Sequence, residues 1–161
     1  MVVRRLEPPD WPEVARIYAD GLATGVATFE THLPSWETWD ASHLPAPRLV
    51  AERDGAVVGW VAVSRVSRRP AYSGVVEHSV YVDGAARRSG IGRALLDALA
   101  AEAPRHGIWT IQTSIIDLNE ASLRLHEAAG YRVVGRRERI AQLRGAWRDT
   151  LLLELRLRER S

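Results

Sequence analysis

Arg87-Arg88-Ser89-Gly90-Ile91-Gly92-Arg93 follows the strand-like run Val80-Tyr81-Val82 and opens the helical run Ala94-Leu95-Leu96-Asp97-Ala98-Leu99. A basic, glycine-containing turn that feeds a helix aims several unpaired backbone N–H groups in one direction. The helix N-terminus adds partial positive charge, so the arrangement suits phosphate. Gly90 and Gly92 let the backbone approach an anion with no side chain in the way. Arg87, Arg88 and Arg93 add charge where an anion would sit. The expected ligand carries a pyrophosphate. An ordinary tight turn would also use these glycines.

Two familiar phosphate motifs do not fit. The chain contains no lysine, so it has no Gly-x-x-x-x-Gly-Lys-Ser/Thr loop. The dinucleotide fingerprint needs a third glycine, and Ala94-Leu95 follow Gly90-x-Gly92 instead. The pattern Arg-x-x-Gly-x-Gly after a strand resembles the pyrophosphate loop of the GNAT superfamily of acetyltransferases.

Composition bounds the remaining choices. The 161 residues suit one domain over 1–161, and 46% hydrophobic with 26% charged residues suits a soluble globular chain. With no cysteine, disulfides, thiolate metal sites and cysteine nucleophiles are excluded. All 22 basic residues are arginine, yet the net charge is only +2 and no aromatic residues interleave with a basic patch. Nucleic acid is therefore not an expected partner. Met1-Val2-Val3-Arg4-Arg5-Leu6-Glu7 holds no signal-peptide core, and no apolar run reaches the length of a membrane span, so no membrane partner and a cytoplasmic location are expected.

Working outward from the glycine turn, 75–83 reads as a strand and the helix behind the turn runs to about residue 105, stopped by His106-Gly107. Upstream, 2–6 reads as a strand. Asp10 is placed to cap a helix starting at Trp11-Pro12, with Glu13 completing a capping box. Val14, Ile17, Tyr18 and Leu22 share one face of that helix. Ser35 caps a short helix carrying Trp36 and Trp39, with His43 open as a further member. Strands at 48–53 and 56–66 flank Asp54-Gly55, a strong hairpin signal. Downstream come a strand at 109–116, a helix at 119–129 stopped by Gly130, and strands at 131–140 and 149–156 joined around Gly145-Ala146-Trp147. The order β-α-α-β-β-β-α-β-α-β-β is an α/β mixture and matches the GNAT fold element for element. That fold implies a mixed, mostly antiparallel central sheet with flanking helices. Two central strands splay apart and acyl-CoA wedges between them.

Acetyl transfer to an amine needs a base for the ammonium proton and a fixed donor for the carbonyl oxygen that becomes negative. Glu77 lies in Val75-Val76-Glu77-His78-Ser79-Val80-Tyr81-Val82, a strand expected at mid-sheet. Burial there would raise its pKa toward neutrality, as base work prefers. A salt-bridged or edge-exposed acid is the other reading. His78 points opposite to Glu77 by strand alternation. His32, His43 and His106 read as surface or turn residues. No three of the five histidines have metal-ligand spacing, so no metal is expected.

Together with Glu77-His78-Ser79-Val80-Tyr81-Val82, three groups of motifs occur in order. They are Ala27-Thr28-Phe29-Glu30-Thr31 and Leu49-Val50-Ala51-Glu52 with Gly59-Trp60; Ser122-Leu123-Arg124-Leu125-His126-Glu127-Ala128-Ala129-Gly130-Tyr131; and Gly145-Ala146-Trp147-Arg148-Asp149. From Ile17 to Leu155 the chain resembles the phosphinothricin acetyltransferase family. The resemblance implies acetyl-CoA as cosubstrate and Glu77 as base. It implies that the backbone of Val80, Tyr81 and Val82 pairs with the pantetheine arm. It gives residues 87–93 (Arg87, Arg88, Ser89, Gly90, Ile91, Gly92, Arg93) to the pyrophosphate, with Asn119 and Ser122 reaching the pantetheine or phosphate. His126 stands where many GNAT enzymes carry a tyrosine acid; contact with sulfur or substrate and a structural hydrogen bond are both open. Gly84 stands where such loops often carry proline, which is expected to loosen the turn.

Family members acetylate the α-amino group of phosphinothricin, methionine sulfoximine or methionine sulfone. Arginine is the natural clamp for the carboxylate of such ligands. Arg69 with Tyr72 is the expected clamp, with Phe29 lining the pocket; a solvated basic loop is the alternative. The family also implies a homodimer, for which residues 36–39 could serve. Acetylation of another amine (a polyamine, an antibiotic or a protein N-terminus) and a non-catalytic acyl-CoA-binding role are the rival functions.

Overall fold

The computed structural model describes residues 1–158. Seven strands form one sheet: β1 (Val2–Arg5), β2 (Arg48–Arg53), β3 (Ala56–Arg65), β4 (Val75–Val82), β5 (Thr110–Ile116), β6 (Arg132–Leu143) and β7 (Ala146–Arg156). Their spatial order is β1-β2-β3-β4-β5-β7-β6, and only β4 and β5 run parallel. Four helices flank the sheet: α1 (Trp11–Ala23), α2 (Trp36–Ser42), α3 (Ile91–Glu102) and α4 (Glu120–Ala128). The Asp54-Gly55 hairpin forms with both residues at positive φ, the twist that a two-residue turn between antiparallel strands needs.

β3 is the spine of the core, buried from Val57 to Val63. Alternate residues feed two cores on opposite faces of the sheet. Trp60 and Ala62 meet Val14 and Ile17 of α1 and Trp39 of α2. Val61 and Val63 meet Leu95 and Leu99 of α3, with Ile111 and Leu153 alongside.

Three expectations change in the structure. Asp10 precedes α1 but does not cap it with its side chain. Its carboxylate instead accepts from the Glu7 N–H at 2.8 Å and from both Arg4 terminal nitrogens at 2.9 Å. Arg4 Nε also reaches Glu52 at 2.7 Å, so one guanidinium joins β1, β2 and the entry to α1. α3 stops at Glu102, because Pro104 lacks the N–H an α-helix would use; a 3₁₀ turn, Ala103–His106, continues to Gly107 at φ +74. β6 and β7 run three residues further toward each other than expected. The two-residue turn Arg144-Gly145, both at positive φ, joins them directly.

The Arg4 pair holds the Asp10 carboxyl below its usual range, chiefly through the side-chain hydrogen bond. A depressed carboxylate stabilises the fold above its ordinary pKa and loses that contribution as pH falls through the folded value. Asp10→Asn should therefore cost about 1–2 kcal/mol at neutral pH. The deficit should close below about pH 4, as followed by urea unfolding across pH.

Candidate active site

β4 and β5 pair at only three positions: Val75↔Thr110, Val76↔Ile111 and Glu77↔Gln112. Beyond Glu77 the strands part, while β4 stays paired to β3 as far as Val82. A cleft of about 1030 Å³ fills the gap. Residues 79–82 and 113–116 line its walls, the N-terminus of α3 closes one end, and residues 26–30 close the other. The free edge of β4 at Val80, Tyr81 and Val82 offers unpaired backbone groups to an extended ligand. This is the splayed pair expected of the fold.

The arginine-glycine turn, where a phosphate is expected, forms one end of the cleft. Gly90 sits at φ +81 as the residue before α3, a conformation costly for any side chain. The first N–H groups of α3, on Ile91, Gly92 and Arg93, have no intrahelical partner and face the cleft. Arg87 and Arg88 are exposed beside them. Arg93 is tied to Asp97 at 3.0 Å. Ser89 Oγ donates to the Ala86 carbonyl, so it braces the loop. Gly92 serves packing: a Cβ there would lie 2.9 Å from Leu125 Cδ2 of α4. Gly84 does not loosen the turn, because Asp83 accepts from the Ala85 N–H at 3.2 Å and Arg16 holds Asp83 at 3.0 Å.

α4 is pinned over β4 by two imidazoles. Asn119 caps α4 by accepting from the Ser122 N–H at 3.2 Å. His126 Nδ1 lies 2.7 Å from the Ser122 carbonyl, which can only accept, so Nδ1 carries the proton. His126 Nε2 lies 3.0 Å from His78 Nε2, leaving His78 as donor and His126 as acceptor. Both rings are buried and both pKa values fall with burial, that of His78 to about 3. Tyr131 packs on both rings at 5.5 and 5.1 Å. Each nitrogen of His126 is thus engaged within the protein.

The amine end lies on the opposite face of β4. Glu77 lines the cleft, half-buried, across from Ser64 of β3. Burial pushes its pKa up, and the charge of Arg137 on β6 draws it partly back. Phe29, Thr28 and Glu30 come from the segment after α1. Tyr81 stacks between Tyr18 at 5.0 Å and Trp60 at 5.2 Å. The side chains of Arg69 and Tyr72 pair with each other, guanidinium to ring at 5.9 Å, and neither lines the cleft. His43, expected at the surface, lines the cleft instead with its ring stacked 4.3 Å from Trp39. Arg137 was also missed: nothing local marks one arginine of a polar strand as the one that faces Glu77. Among the described residues no cluster of three His, Asp or Glu could hold a metal.

The Acetyltransferase (GNAT) family model matches residues 6–131, and the chain belongs to that family. Its cosubstrate is acetyl-CoA, and it is an N-acetyltransferase. A phosphinothricin N-acetyltransferase of Alcaligenes faecalis is 36% identical over 159 residues, covering 94% of this chain and 80% of that one. An L-methionine sulfoximine/L-methionine sulfone acetyltransferase of Pseudomonas paraeruginosa is 31% identical over 154 residues, covering 92% and 90%. A phosphinothricin acetyltransferase of Sinorhizobium meliloti, solved in complex with acetyl-CoA, superposes with a TM-score of 0.86 at 30% identity, covering 97% and 88%.

Arg137 favours the ionised form of Glu77. Its removal should raise that pKa, so less of the base is ionised at a given acid pH. The acidic limb of kcat/KM against pH should move upward in Arg137→Gln, and the difference should shrink in high salt.

Proposed function

We propose that this enzyme moves the acetyl group of acetyl-CoA to the α-amino group of a small amino-acid analogue of the phosphinothricin, methionine sulfoximine or methionine sulfone kind. The observation that carries the proposal is Glu77: a half-buried carboxylate with a raised pKa, in the cleft at the point where β4 and β5 part. Relatives named for those three acceptors, aligned along nearly the whole chain, support the substrate class.

Bound along β4, acetyl-CoA supplies an activated acyl group. Its pyrophosphate meets Arg87, Arg88 and the N-terminus of α3, and its pantetheine pairs with Val80, Tyr81 and Val82 near Asn119 and Ser122. Glu77 takes the proton of the acceptor ammonium, directly or through water. A backbone N–H of β4 meets the carbonyl oxygen as charge develops there. His126 acts as a positioning residue: its two hydrogen bonds hold the first turn of α4 against β4. Phe29 forms the apolar wall of the amine end. Arg69 and Tyr72 pair with each other away from the cleft, whereas Arg137 is the cation whose charge reaches Glu77 and would draw the acceptor's carboxylate from outside the cleft lining.

The chain is taken to work as one acetyltransferase domain, in the cytoplasm and as a homodimer. No described helix is long and apolar enough to cross a membrane. The edge strand β6 exposes Val133, Val134 and Ile140, with Trp147 of β7 nearby, which suits a second copy. One observation favours a second reading. Glu30 and Glu77 line the amine end and, among the described residues, no arginine lines it, which would also suit a polyamine.

Thiol release with the three analogues and a polyamine panel separates these readings, and polyamine turnover alone would remove the first. Glu77→Gln should keep acetyl-CoA affinity by calorimetry and lose at least about 100-fold in kcat at neutral pH. Full activity would remove Glu77 as base. Arg137→Gln should raise the acceptor KM, and Arg69→Ala should leave it unchanged.

A further inference from the structure

His43 stands at the end of α2 with its ring held on three sides. Its Nδ1 lies 2.7 Å from the Trp39 carbonyl. A carbonyl only accepts, so Nδ1 carries the proton. Trp39, itself buried, stacks on the ring at 4.3 Å, and Trp60 meets it edge-on at 6.5 Å. Ser42 Oγ, 3.2 Å from Nδ1, donates to the same Trp39 carbonyl at 2.9 Å and closes that side. A flip of the ring would leave the stack in place but give up the Nδ1 hydrogen bond. Nε2 is left with a lone pair and no protein partner among the described residues, on a side chain that lines the cleft.

Its place relative to the base is set by the ladder. Leu44 N–H donates to the Val63 carbonyl at 2.9 Å, so His43 lies beside the end of β3. The next residue of β3, Ser64, pairs with Glu77. His43, Ser64 and Glu77 therefore lie across three neighbouring chain segments, about 10 Å or two strand spacings from end to end. An amino acid whose amine meets Glu77 would turn its far end toward His43.

We propose that His43 is a specificity residue: its Nε2 lone pair accepts a hydrogen bond from an N–H or O–H on the acceptor's side-chain head group. The proposal rests on the amino-acid-analogue reading above. Methionine sulfoximine carries an S=N–H donor. Methionine sulfone offers only oxygens, and phosphinothricin offers a phosphinate anion. A lone pair facing oxygen repels it and leaves both groups unpaired, so the preference should run sulfoximine, sulfone, phosphinothricin. Burial keeps the imidazole neutral, helped by Arg48 and opposed by the Trp39 carbonyl and Asp40. Arg48 and Asp40 pair with each other at 2.6 Å, and Glu30, Glu77, His32, Tyr18 and Tyr81 are the other titratable groups of that end of the cleft.

Two variants isolate Nε2. In His43→Asn the amide nitrogen can still donate to the Trp39 carbonyl, and nothing reaches the Nε2 position. In His43→Gln the amide reaches that position and can present its oxygen as acceptor. The wild type should favour sulfoximine over sulfone by about tenfold in kcat/KM, the worth of one such hydrogen bond. His43→Asn should bring the ratio near unity while retaining turnover of the sulfone, and His43→Gln should restore most of it. In ¹⁵N spectra of the acetyl-CoA-free wild type, His43 Nε2 should shift with methionine sulfoximine and not with the sulfone. An unchanged ratio in folded His43→Asn, or equal shifts with both ligands, overturns the role of His43 alone. Wild type inactive on every analogue, with acetyl-CoA still bound, overturns the substrate reading and this inference together.

Discussion

The parallel ladder between β4 and β5 ends after three residue pairs, at Glu77. Beyond that point a parallel sheet would keep pairing, and here it cannot. The backbone groups of the parting strands need partners, and an extended ligand bonding along the β4 edge can supply them. Binding and backbone satisfaction become one requirement at this place. The gap survives because what surrounds it is rigid. β4 is paired to β3 over seven positions and β5 to β7 over seven. α3 and α4 close on each other where Gly92 leaves room for Leu125. The His78–His126 bond then ties α4 back to β4 across the opening.

Strand alternation turns this one gap into two environments. Glu77 and His78 are neighbours in sequence and point to opposite faces. On one face Glu77 lines the cleft together with Tyr18, Trp39 and Tyr81. On the other, His78 fastens the helix whose first turn carries Asn119 and Ser122. A single dipeptide of β4 thus contributes the proposed base on one face and, on the other, the anchor of α4. A one-residue slip of β4 would exchange the two roles and lose both.

Legibility in the sequence followed the range of the interaction. The arginine-glycine turn, the Asp54-Gly55 hairpin and α3 are written in neighbouring residues, and they stand nearly where the pattern puts them. The parting of β4 and β5 has no local signature; it came from family resemblance. Arg69 was chosen because its loop precedes the strand of Glu77, yet that guanidinium stacks on Tyr72. Arg137 reaches Glu77 from a strand three places away in the sheet, a nearness only tertiary structure creates. His43 read as a turn residue because its meaning depends on Trp60, which comes from another strand. Gly92 also has a packing role that its place in the turn does not announce, since Leu125 comes from a later helix.

Charge is distributed along the cleft to match the two reactants. Arg87 and Arg88 with the α3 N-terminus gather positive potential at one end, and Glu30 and Glu77 line the other. Under the proposed function this polarity would draw a diphosphate and an ammonium to opposite ends. The amine end must also keep its base ionised while burying it, and these demands conflict. Desolvation raises the Glu77 pKa, which strengthens it as a proton acceptor and at the same time favours its protonated form. Arg137 limits that rise from the rim, where water also screens it, so its pull moderates the shift without cancelling it. The two influences meet at one carboxylate: burial strengthens Glu77 as a proton acceptor, and Arg137 favours its ionised form.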